Sequence, residues 1–207
     1  MPRPSNREER RAQIVDGLMR VLPEHGYERA SVARIAKAAG LSPGLVHHHF
    51  ENKQAILLAL GERLVALVRG RVADAPTARG RLHAFLDAHL ALGPAANADA
   101  VACWVALGAE ALFQDEVGAL YREVIAERKA RLLALLRAAC REEGRSARAL
   151  EPLATTILAA VEGTFQLATA APGSVPAGSA AGSLRRVVDA LLDARPPTHA
   201  SPKGAPR

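Results

Sequence analysis

The sequence predicts an all-α protein, and three observations support this fold class. Hydrophobic residues make up 49% of the 207 residues, but aromatic residues make up only 3%. Alanine and leucine dominate the apolar fraction; both lose little freedom in a helix, whereas sheets favour aromatic and β-branched residues. Apolar positions also recur at helical spacing between glycines and prolines, and no segment alternates as a strand does.

The first two helices have clear ends. Apolar residues at helical spacing predict an amphipathic helix from Arg7 to about Glu24, with Gly26 at its C-terminal end. Ser31 is a good N-cap for a second helix, and Gly40 stops it. Gly40 also permits the positive φ that a tight turn requires.

A third and a fourth helix follow directly. Ser42 caps the third, and Pro43 occupies its first turn, where the missing N–H costs nothing. Only about three residues separate it from the second helix, so the pair has the pattern of a helix-turn-helix. Asn52 caps a long fourth helix from Lys53 to about Asp74.

The rest of the chain continues as helices separated by glycine and proline. We expect helices at about 77–92, 98–113, 114–143, 147–171 and 182–194. The stretch 171–183 is rich in Gly, Ser and Pro and predicts a flexible loop. Residues 195–207 hold too few apolar side chains to fold, so we expect a disordered tail.

Positive charge is concentrated at the two ends of the chain. The net charge is +6, and residues 1–53 hold nine Lys or Arg against six Asp or Glu. Residues 54–194 hold fifteen of each sign, and the tail adds only bases. This distribution is compatible with a polyanionic partner at the N-terminal end, although a surplus of three charges is weak support.

Cysteine usage and hydropathy predict a cytoplasmic protein. Cys103 and Cys140 lie far apart and form no CxxC pair, so reduced thiols are expected; a disulfide between them is the alternative. We expect no signal peptide before the first helix, and no unbroken apolar stretch is long enough to span a bilayer. We expect no membrane association and no cofactor.

Three consecutive histidines, His47 to His49, lie in the third helix. At about 100° per residue, Val46, His49 and Phe50 share one face, which must pack on the first two helices. His49 is therefore structural, with one ring nitrogen bonded to a backbone carbonyl. The outward residues are Gly44, His47 and His48, with Leu45 at the edge.

This geometry argues against a metal site, because adjacent histidines diverge on a helix and ligands normally come three or four residues apart. No carboxylate or second histidine at useful spacing makes His47, His48 or Cys103 a catalytic group, so an enzyme is not expected. Two alternatives remain for His47 and His48: an ordinary solvated face, or contact with DNA phosphates and base acceptors.

The segment "ERRAQIVDGLMRVLPEHGYERASVARIAKAAGLSPGLVHHHFENKQAIL" resembles the DNA-binding domain of the TetR (tetracycline-repressor-like) family of transcriptional regulators. The residues that match the family pattern are Ser31, Ile35, Ala36, Ala39, Gly40, Ser42, Gly44, Val46, Phe50, Asn52 and Lys53. More loosely, "ACWVALGAEALFQDEVGALYREVIAERKARLLALLR" and "AAVEGTFQLA" resemble the C-terminal domain of the BetI-like branch.

The resemblance implies a set of DNA contacts. Ser31 and Lys53, at helix N-termini, would contact phosphates, as would Arg34 and Lys37; each could instead be only a cap or a surface charge. Ser42, which caps the third helix, is a further candidate DNA contact. The candidate reading surface of that helix consists of Pro43, Gly44, Leu45, His47 and His48. Pro43, Leu45 and His47 depart from the basic residue, hydroxyl residue and tyrosine that the family often has, so the operator sequence is open.

The resemblance also divides the chain into a helix-turn-helix domain, 1–52, and a domain for effector binding and dimerisation, 53–194. It implies a homodimer on a palindromic double-stranded operator, released by a small-molecule effector; the alternative is a constitutive DNA-binding protein. Candidate pocket residues, which could equally be core, are Phe85, His89, Cys103, Trp104, Leu107, Glu110, Phe113, Gln114 and Tyr121. Candidate dimer residues, which could pack only within one chain, are Leu153, Ile157, Val161, Phe165, Leu184, Val187, Val188 and Leu191.

Overall fold

The computed structural model describes residues 6–71, 73–90 and 98–198. Within these ranges the chain forms nine helices and no strand, as the composition predicts. The first four are α1 (Asn6–Arg29), α2 (Val32–Ala39), α3 (Pro43–His49) and α4 (Lys53–Arg69). The others are α5 (Ala78–His89), α6 (Ala98–Glu110), α7 (Asp115–Glu142), α8 (Leu150–Ala170) and α9 (Ser179–Asp193).

Two helix ends differ from the predicted positions. Gly26 has φ 69° and ψ 168°, so it interrupts α1, but helical residues resume and continue to Arg29. α4 ends at Arg69 and not near Asp74, because Gly70 caps it. The remaining boundaries agree with the predicted helices to within a few residues.

The helices pack as two compact units. The described residues of unit 1 are 6–70, 98–125 and 169–171, and those of unit 2 are 71, 73–90, 126–168 and 172–198. α4 and α6 thus pack with the first three helices, and α7 contributes its first part to unit 1 and its remainder to unit 2. The domain boundary predicted at residue 52 stays a prediction, because these units describe packing and not independent folding.

Unit 1 is held by a buried apolar core and by polar bonds that reach α1 from α4 and α6. The Arg63 guanidinium lies 2.7 Å from the Asp16 carboxylate. The Cys103 thiol lies 3.5 Å from the Met19 carbonyl oxygen, which accepts from it. α1 and α2 approach closely at Gly17, where a Cβ atom would lie 2.7 Å from the Ile35 carbonyl oxygen. Only glycine allows that approach.

Unit 2 has its own apolar core, formed by α5, the second part of α7, α8 and α9. An ionic cluster borders this core, because the Arg79 guanidinium lies 2.5 Å from Glu143, 3.1 Å from Asp189 and 2.8 Å from Asp193. Asp189 also lies 2.8 Å from the His83 ring. These contacts tie α9 to α5 and to the end of α7.

Part of the segment predicted to be disordered is bonded to the connection between α7 and α8. The Arg195 side chain donates to the Ser146 carbonyl oxygen at 2.6 Å, and the Thr198 amide donates to the Gly144 carbonyl oxygen at 2.8 Å. The donors are a backbone amide and an arginine side chain. The prediction of a disordered tail considered only apolar content and therefore missed these bonds. The remainder of that prediction, 199–207, lies outside the described residues.

Among the described helices, α8 is long and apolar enough to cross a membrane by length and composition, which the sequence reading did not expect. Only 28% of its 18-residue apolar stretch is buried. Core helices of soluble proteins pass the same test, so this is weak evidence for a membrane. The low burial instead shows that much of α8 faces outward in the single chain.

Candidate nucleic-acid interface

Side-chain caps define the start of each helix in the turn region. Ser31 Oγ accepts from the Arg34 amide at 3.3 Å, and Ser42 Oγ accepts from the Leu45 amide at 3.2 Å. Gly40 adopts a left-handed φ of 68°, and its amide bonds back to the end of α2. A residue with a Cβ atom rarely adopts this φ, so the turn between α2 and α3 depends on glycine. The cap predictions at Ser31 and Ser42 are confirmed.

α3 is anchored through one face, as the helical geometry predicts. Val46 is 1% exposed and Phe50 is 3% exposed. His49 is half-buried beside them. The predicted bond from His49 to a backbone carbonyl does not form at Nδ1, which is buried without a hydrogen-bond partner among the described residues. Burial, with the positive charges of neighbouring groups, lowers the pKa of His49.

Arg11 of α1 holds the C-terminal end of α3. Its guanidinium donates to the His49 carbonyl oxygen at 2.6 Å and lies 4.0 Å from the centre of the Phe50 ring. A cation at a helix C-terminus is favoured by the helix dipole, and a guanidinium over an aromatic face adds a cation–π contact. Sequence patterns did not single out Arg11, because its partner lies 38 residues away.

The opposite face of α3 is open. Gly44, His47 and His48 are exposed, and Leu45 is half-buried at the edge. Pro43 is exposed in the first turn. The His48 and His49 rings meet edge to face with centroids 5.1 Å apart, which limits the positions of the His48 ring. The reading surface defined by Pro43, Gly44, Leu45, His47 and His48 is therefore presented on a helix that Ser42 caps at its start and Arg11 holds at its end.

The candidate phosphate contacts differ in their surroundings. Ser31, Arg34 and Lys37 are exposed on or beside α2, and the Arg34 guanidinium lies 3.2 Å from His25 Nε2. The Lys53 ammonium instead donates to the Tyr27 carbonyl oxygen at 2.7 Å and to the Glu28 carbonyl oxygen at 3.3 Å. It also lies 4.0 Å from the centre of the Tyr27 ring. Lys53 therefore caps the end of α1.

The predicted pocket residues fall into both units. In unit 2, His89 is buried, its Nδ1 lies 2.8 Å from the Phe85 carbonyl oxygen, and its ring lies 4.1 Å from the Phe85 ring. Burial, together with the nearby arginines Arg128 and Arg131, lowers the pKa of His89 to about 4. The ring is therefore neutral at pH 7, with its tautomer set by the Phe85 carbonyl.

In unit 1, Cys103, Trp104 and Leu107 are buried, and the Trp104 ring stacks on the Tyr121 ring at 5.1 Å. The Gln114 amide donates to the Glu110 carboxylate at 2.7 Å. Phe113 is 83% exposed, because α6 ends at Glu110, so it lines no interior space. Burial raises the pKa of the Cys103 thiol to about 12, so this thiol is protonated at pH 7. That the other residues line a ligand cavity stays a prediction.

The predicted dimer residues divide into buried and exposed groups. Ile157, Val161, Phe165 and Val188 are buried within the chain itself, so they are not surface residues that a partner could contact. Their stripe on each helix faces the core, and helical periodicity alone does not distinguish it from a partner-facing stripe. Val187 and Leu191 are 53% and 45% exposed, and Leu153 and Leu184 are half-buried.

The described residues contain no group of three or more His, Cys, Asp or Glu side chains placed to hold a metal ion. Both cysteines are free and buried. The histidine run itself is divided by the helix, with His47 and His48 exposed and His49 half-buried. What the site presents is a short helix with two outward imidazoles, flanked by basic side chains on α2.

Comparison with known proteins places both halves of the chain. Residues 14–60 match the family model for bacterial regulatory proteins of the tetR family, and residues 78–193 match the model for the C-terminal domain of BetI-type transcriptional repressors. The chain is 31% identical over 144 residues to the HTH-type transcriptional regulator BetI of Rhizobium meliloti, covering 68% of this chain and 70% of that protein.

Solved structures show the same fold. A transcriptional regulator from Rhodococcus sp. Rha1 superposes with a TM-score of 0.77 at 24% identity, covering 92% of this chain and 99% of that one. A regulator from Saccharomonospora viridis, solved in complex with choline, superposes with a TM-score of 0.76 at 21% identity. The superposition covers 90% of this chain and 97% of that regulator.

Proposed function

The chain belongs to the tetR family of bacterial regulatory proteins, and we propose that it is a homodimeric repressor. Its C-terminal domain is of the BetI type. Its α3 would bind a palindromic operator. Membership makes it a transcriptional regulator and not an enzyme. We further propose that it acts in the cytoplasm, where its operator would lie.

The observation that carries the proposal is the exposed reading surface on a helix with a fixed position. A recognition helix must present polar side chains to base edges while its opposite face is anchored. On α3, Val46 and Phe50 are buried, whereas His47 and His48 are exposed. An imidazole can donate to or accept from a base edge or a phosphate oxygen, so these two side chains are suited to reading a groove.

Basic groups around α3 support an orientation in which its exposed face lies against DNA. Arg34 and Lys37 are exposed on α2, and Ser31 lies at its N-terminus, where backbone amides favour an anion. We assign these three residues to phosphate contacts, which position the helix without reading sequence. Leu45, at the edge of the reading surface, offers only an apolar contact, such as one to a thymine methyl group.

His48→Ala tests the proposed function directly. An operator would first be selected from a pool of palindromic duplexes with random half-sites, using the wild-type protein. We expect His48→Ala to weaken operator binding by about 5- to 150-fold, because the dimer loses one base contact in each half-site, and a single hydrogen bond contributes about 0.5–1.5 kcal/mol. Fluorescence anisotropy at fixed salt measures both affinities.

An unrelated duplex of equal length serves as the control. Affinity for it should stay the same in His48→Ala, since non-specific binding depends on phosphate contacts. Circular dichroism would verify that the helices are intact. Unchanged operator affinity at the same salt concentration would remove His48 from the reading surface.

The second copy is proposed to pack on the outward faces of α8 and α9. On α8 the exposed Thr156, Ala159, Gly163 and Leu167 recur at helical spacing along one line. On α9 the exposed line consists of Ser183, Val187, Ala190 and Leu191. Leu167, Val187 and Leu191 are among the most exposed large apolar residues in the described part of the chain. Both helices bury their other faces in one core, so the two lines belong to one unit.

Release by a small-molecule effector is the second part of the proposal. It rests on the BetI-type family match and on a neighbour of the same fold that was solved with choline. An effector would act by favouring a spacing of the two DNA-binding heads that no longer matches the groove repeat. The alternative is a constitutive DNA-binding regulator. Titration of the operator complex with candidate compounds, choline first, distinguishes the two, since only the repressor with an effector loses operator affinity.

A further inference from the structure

A surface cleft in unit 2 brings together two arginines and one aspartate. Its volume is about 170 Å³, and its lining residues are Ala73, Asp74, Arg81, Arg131 and Leu135. Pockets that enclose drug-sized molecules have volumes of about 300–1,000 Å³, so this cleft suits a smaller ligand. None of its residues belongs to the reading surface or to the outward faces of α8 and α9.

Arg81 is held in place by the chain that precedes α5. Its Nη1 donates to the Ala75 carbonyl oxygen at 3.0 Å and to the Pro76 carbonyl oxygen at 3.2 Å. A guanidinium is planar and has five N–H groups, so bonds through one nitrogen orient the whole group. The positive charge of Arg81 at the cleft is therefore fixed in direction.

Arg131 provides the second positive charge from another helix. It is exposed on α7, and Leu135 follows one turn later along the same wall. The field of Arg131 also reaches the interior, where burial and the charges of Arg128 and Arg131 lower the pKa of His89. Two arginines from separate elements thus line one cleft, and guanidiniums are the side-chain groups best suited to hydrogen-bond an oxyanion.

Asp74 narrows the choice of anion. It also lines the cleft, and its Oδ1 accepts from the Ala75 amide at 2.9 Å. A carboxylate repels an oxyanion that has only acceptors, but it accepts a hydrogen bond from an anion that carries its own O–H. Hydrogen phosphate retains an O–H near neutral pH, whereas sulfate has none.

We infer that this cleft is a binding site for inorganic phosphate, held between the Arg81 and Arg131 guanidiniums, with its O–H directed to the Asp74 carboxylate. A phosphate monoester loses its last acidic proton with a pKa of about 6, so above neutral pH it binds more weakly than free phosphate. The site goes beyond the proposed operator binding and does not depend on it.

Isothermal titration calorimetry tests the inference with the full-length protein at pH 7.5, in chloride buffer of constant ionic strength. We expect inorganic phosphate to bind, and sulfate and methyl phosphate to bind at least about tenfold more weakly, because neither sulfate nor the methyl phosphate dianion has an O–H to donate to Asp74. Phosphate at about ten times its Kd should also raise the Tm by about 3–6 °C.

Two variants and one control locate the site. Arg131→Gln should weaken phosphate binding by about tenfold or more, since it removes one charge-assisted partner. Asp74→Asn should reduce the preference for phosphate over sulfate to within about threefold, because an amide no longer requires a donor from the anion. Arg137→Gln, also exposed on α7 but outside the cleft, should behave as wild type.

Several results would overturn the inference. One is the absence of phosphate binding at 20 mM, which is roughly the weakest affinity that one phosphate between two arginines should show. Others are equal affinities for phosphate and sulfate, or a loss of phosphate affinity in Arg137→Gln equal to that in Arg131→Gln. Tighter binding of methyl phosphate than of inorganic phosphate would also contradict it. A loss of duplex DNA affinity in Arg131→Gln would assign the arginine to DNA backbone contact instead.

Discussion

At the scale of single residues, two cations of unit 1 hold helix ends and thereby position α3. Arg11 donates to the His49 carbonyl oxygen at the end of α3, and Lys53 donates to the Tyr27 and Glu28 carbonyl oxygens at the end of α1. Each also lies 4.0 Å from an aromatic ring centre. Helix C-termini carry partial negative charge, so both contacts stabilise the domain as well as orient it.

Lys53 therefore has a structural role that a phosphate contact alone would not require. We expect Lys53→Met, which keeps most of the apolar stem, to lower the free energy of unfolding by about 1–2 kcal/mol, because it removes charge-assisted bonds. The affinity of this variant for a non-specific duplex should change with salt concentration as the wild-type affinity does. Urea unfolding and anisotropy titrations at several salt concentrations measure the two quantities.

Lys37→Gln is the matched control, because Lys37 is exposed on α2. It should leave stability within about 0.5 kcal/mol of wild type and reduce the salt slope by about 2, because the dimer loses two phosphate contacts. If Lys53→Met instead lowers the slope by about 2 at unchanged stability, Lys53 is a direct phosphate contact.

At the scale of elements, α8 and α9 each carry two apolar faces with different roles. One face of each helix is buried in unit 2, where Ile157 and Val188 join the same core. The other face is exposed, with small residues on α8 and with Val187 and Leu191 on α9. Small residues allow close approach of a partner helix, and the larger ones provide apolar area to bury.

Charged substitutions on α9 test the dimer. Val187→Glu combined with Leu191→Glu should produce a monomer, because four carboxylates, two from each copy, would be buried about a two-fold axis. Sedimentation velocity measures the mass, and circular dichroism should show unchanged helicity. Operator affinity should fall strongly, since a single head contacts only one half-site.

Leu112→Glu is the control for that experiment. Leu112 is 79% exposed and apolar, but it lies between α6 and α7 in unit 1. The variant should sediment as wild type does. A dimer that survives the α9 substitutions, or a monomer produced by Leu112→Glu, would place the interface elsewhere.

At the scale of the whole molecule, the stability of the fold should depend on pH through a buried histidine. His89 is 8% exposed, and its pKa is lowered to about 4, first by burial. In the unfolded chain a histidine has a pKa of about 6.5, so unfolding takes up a proton below that pH. The stabilisation from the neutral ring is thus fully present above pH 6.5 and is lost as the pH falls toward 4.

His89→Gln should remove this pH dependence. In wild type, the His89 contribution at pH 5 should be about 2 kcal/mol smaller than at pH 8, given the two pKa values. Urea unfolding of wild type and variant at both pH values measures this difference. The carboxylates are common to both proteins, so their titration cancels in the comparison. Identical losses of stability in the two proteins would show that His89 is not held neutral.

The helices themselves followed from local chemistry. Ser31, Ser42 and Asn52 cap helices as predicted, because a cap depends only on a side chain and the amides two or three residues later. The same holds for the faces of α3, since the angle per residue fixes which side chains oppose Val46. Fold class, the helix-turn-helix and the outward position of His47 and His48 were therefore determined by the sequence alone.

Only the tertiary structure decided which apolar stripe faces inward and which polar groups meet over long separations. Val161 and Phe165 have the same spacing as a partner-facing stripe but are buried in their own chain. Arg11 meets His49 across 38 residues, and Arg81 and Arg131 reach one cleft from different helices. Periodicity describes a helix in isolation, whereas these contacts depend on where its neighbours lie, and that is a property of packing.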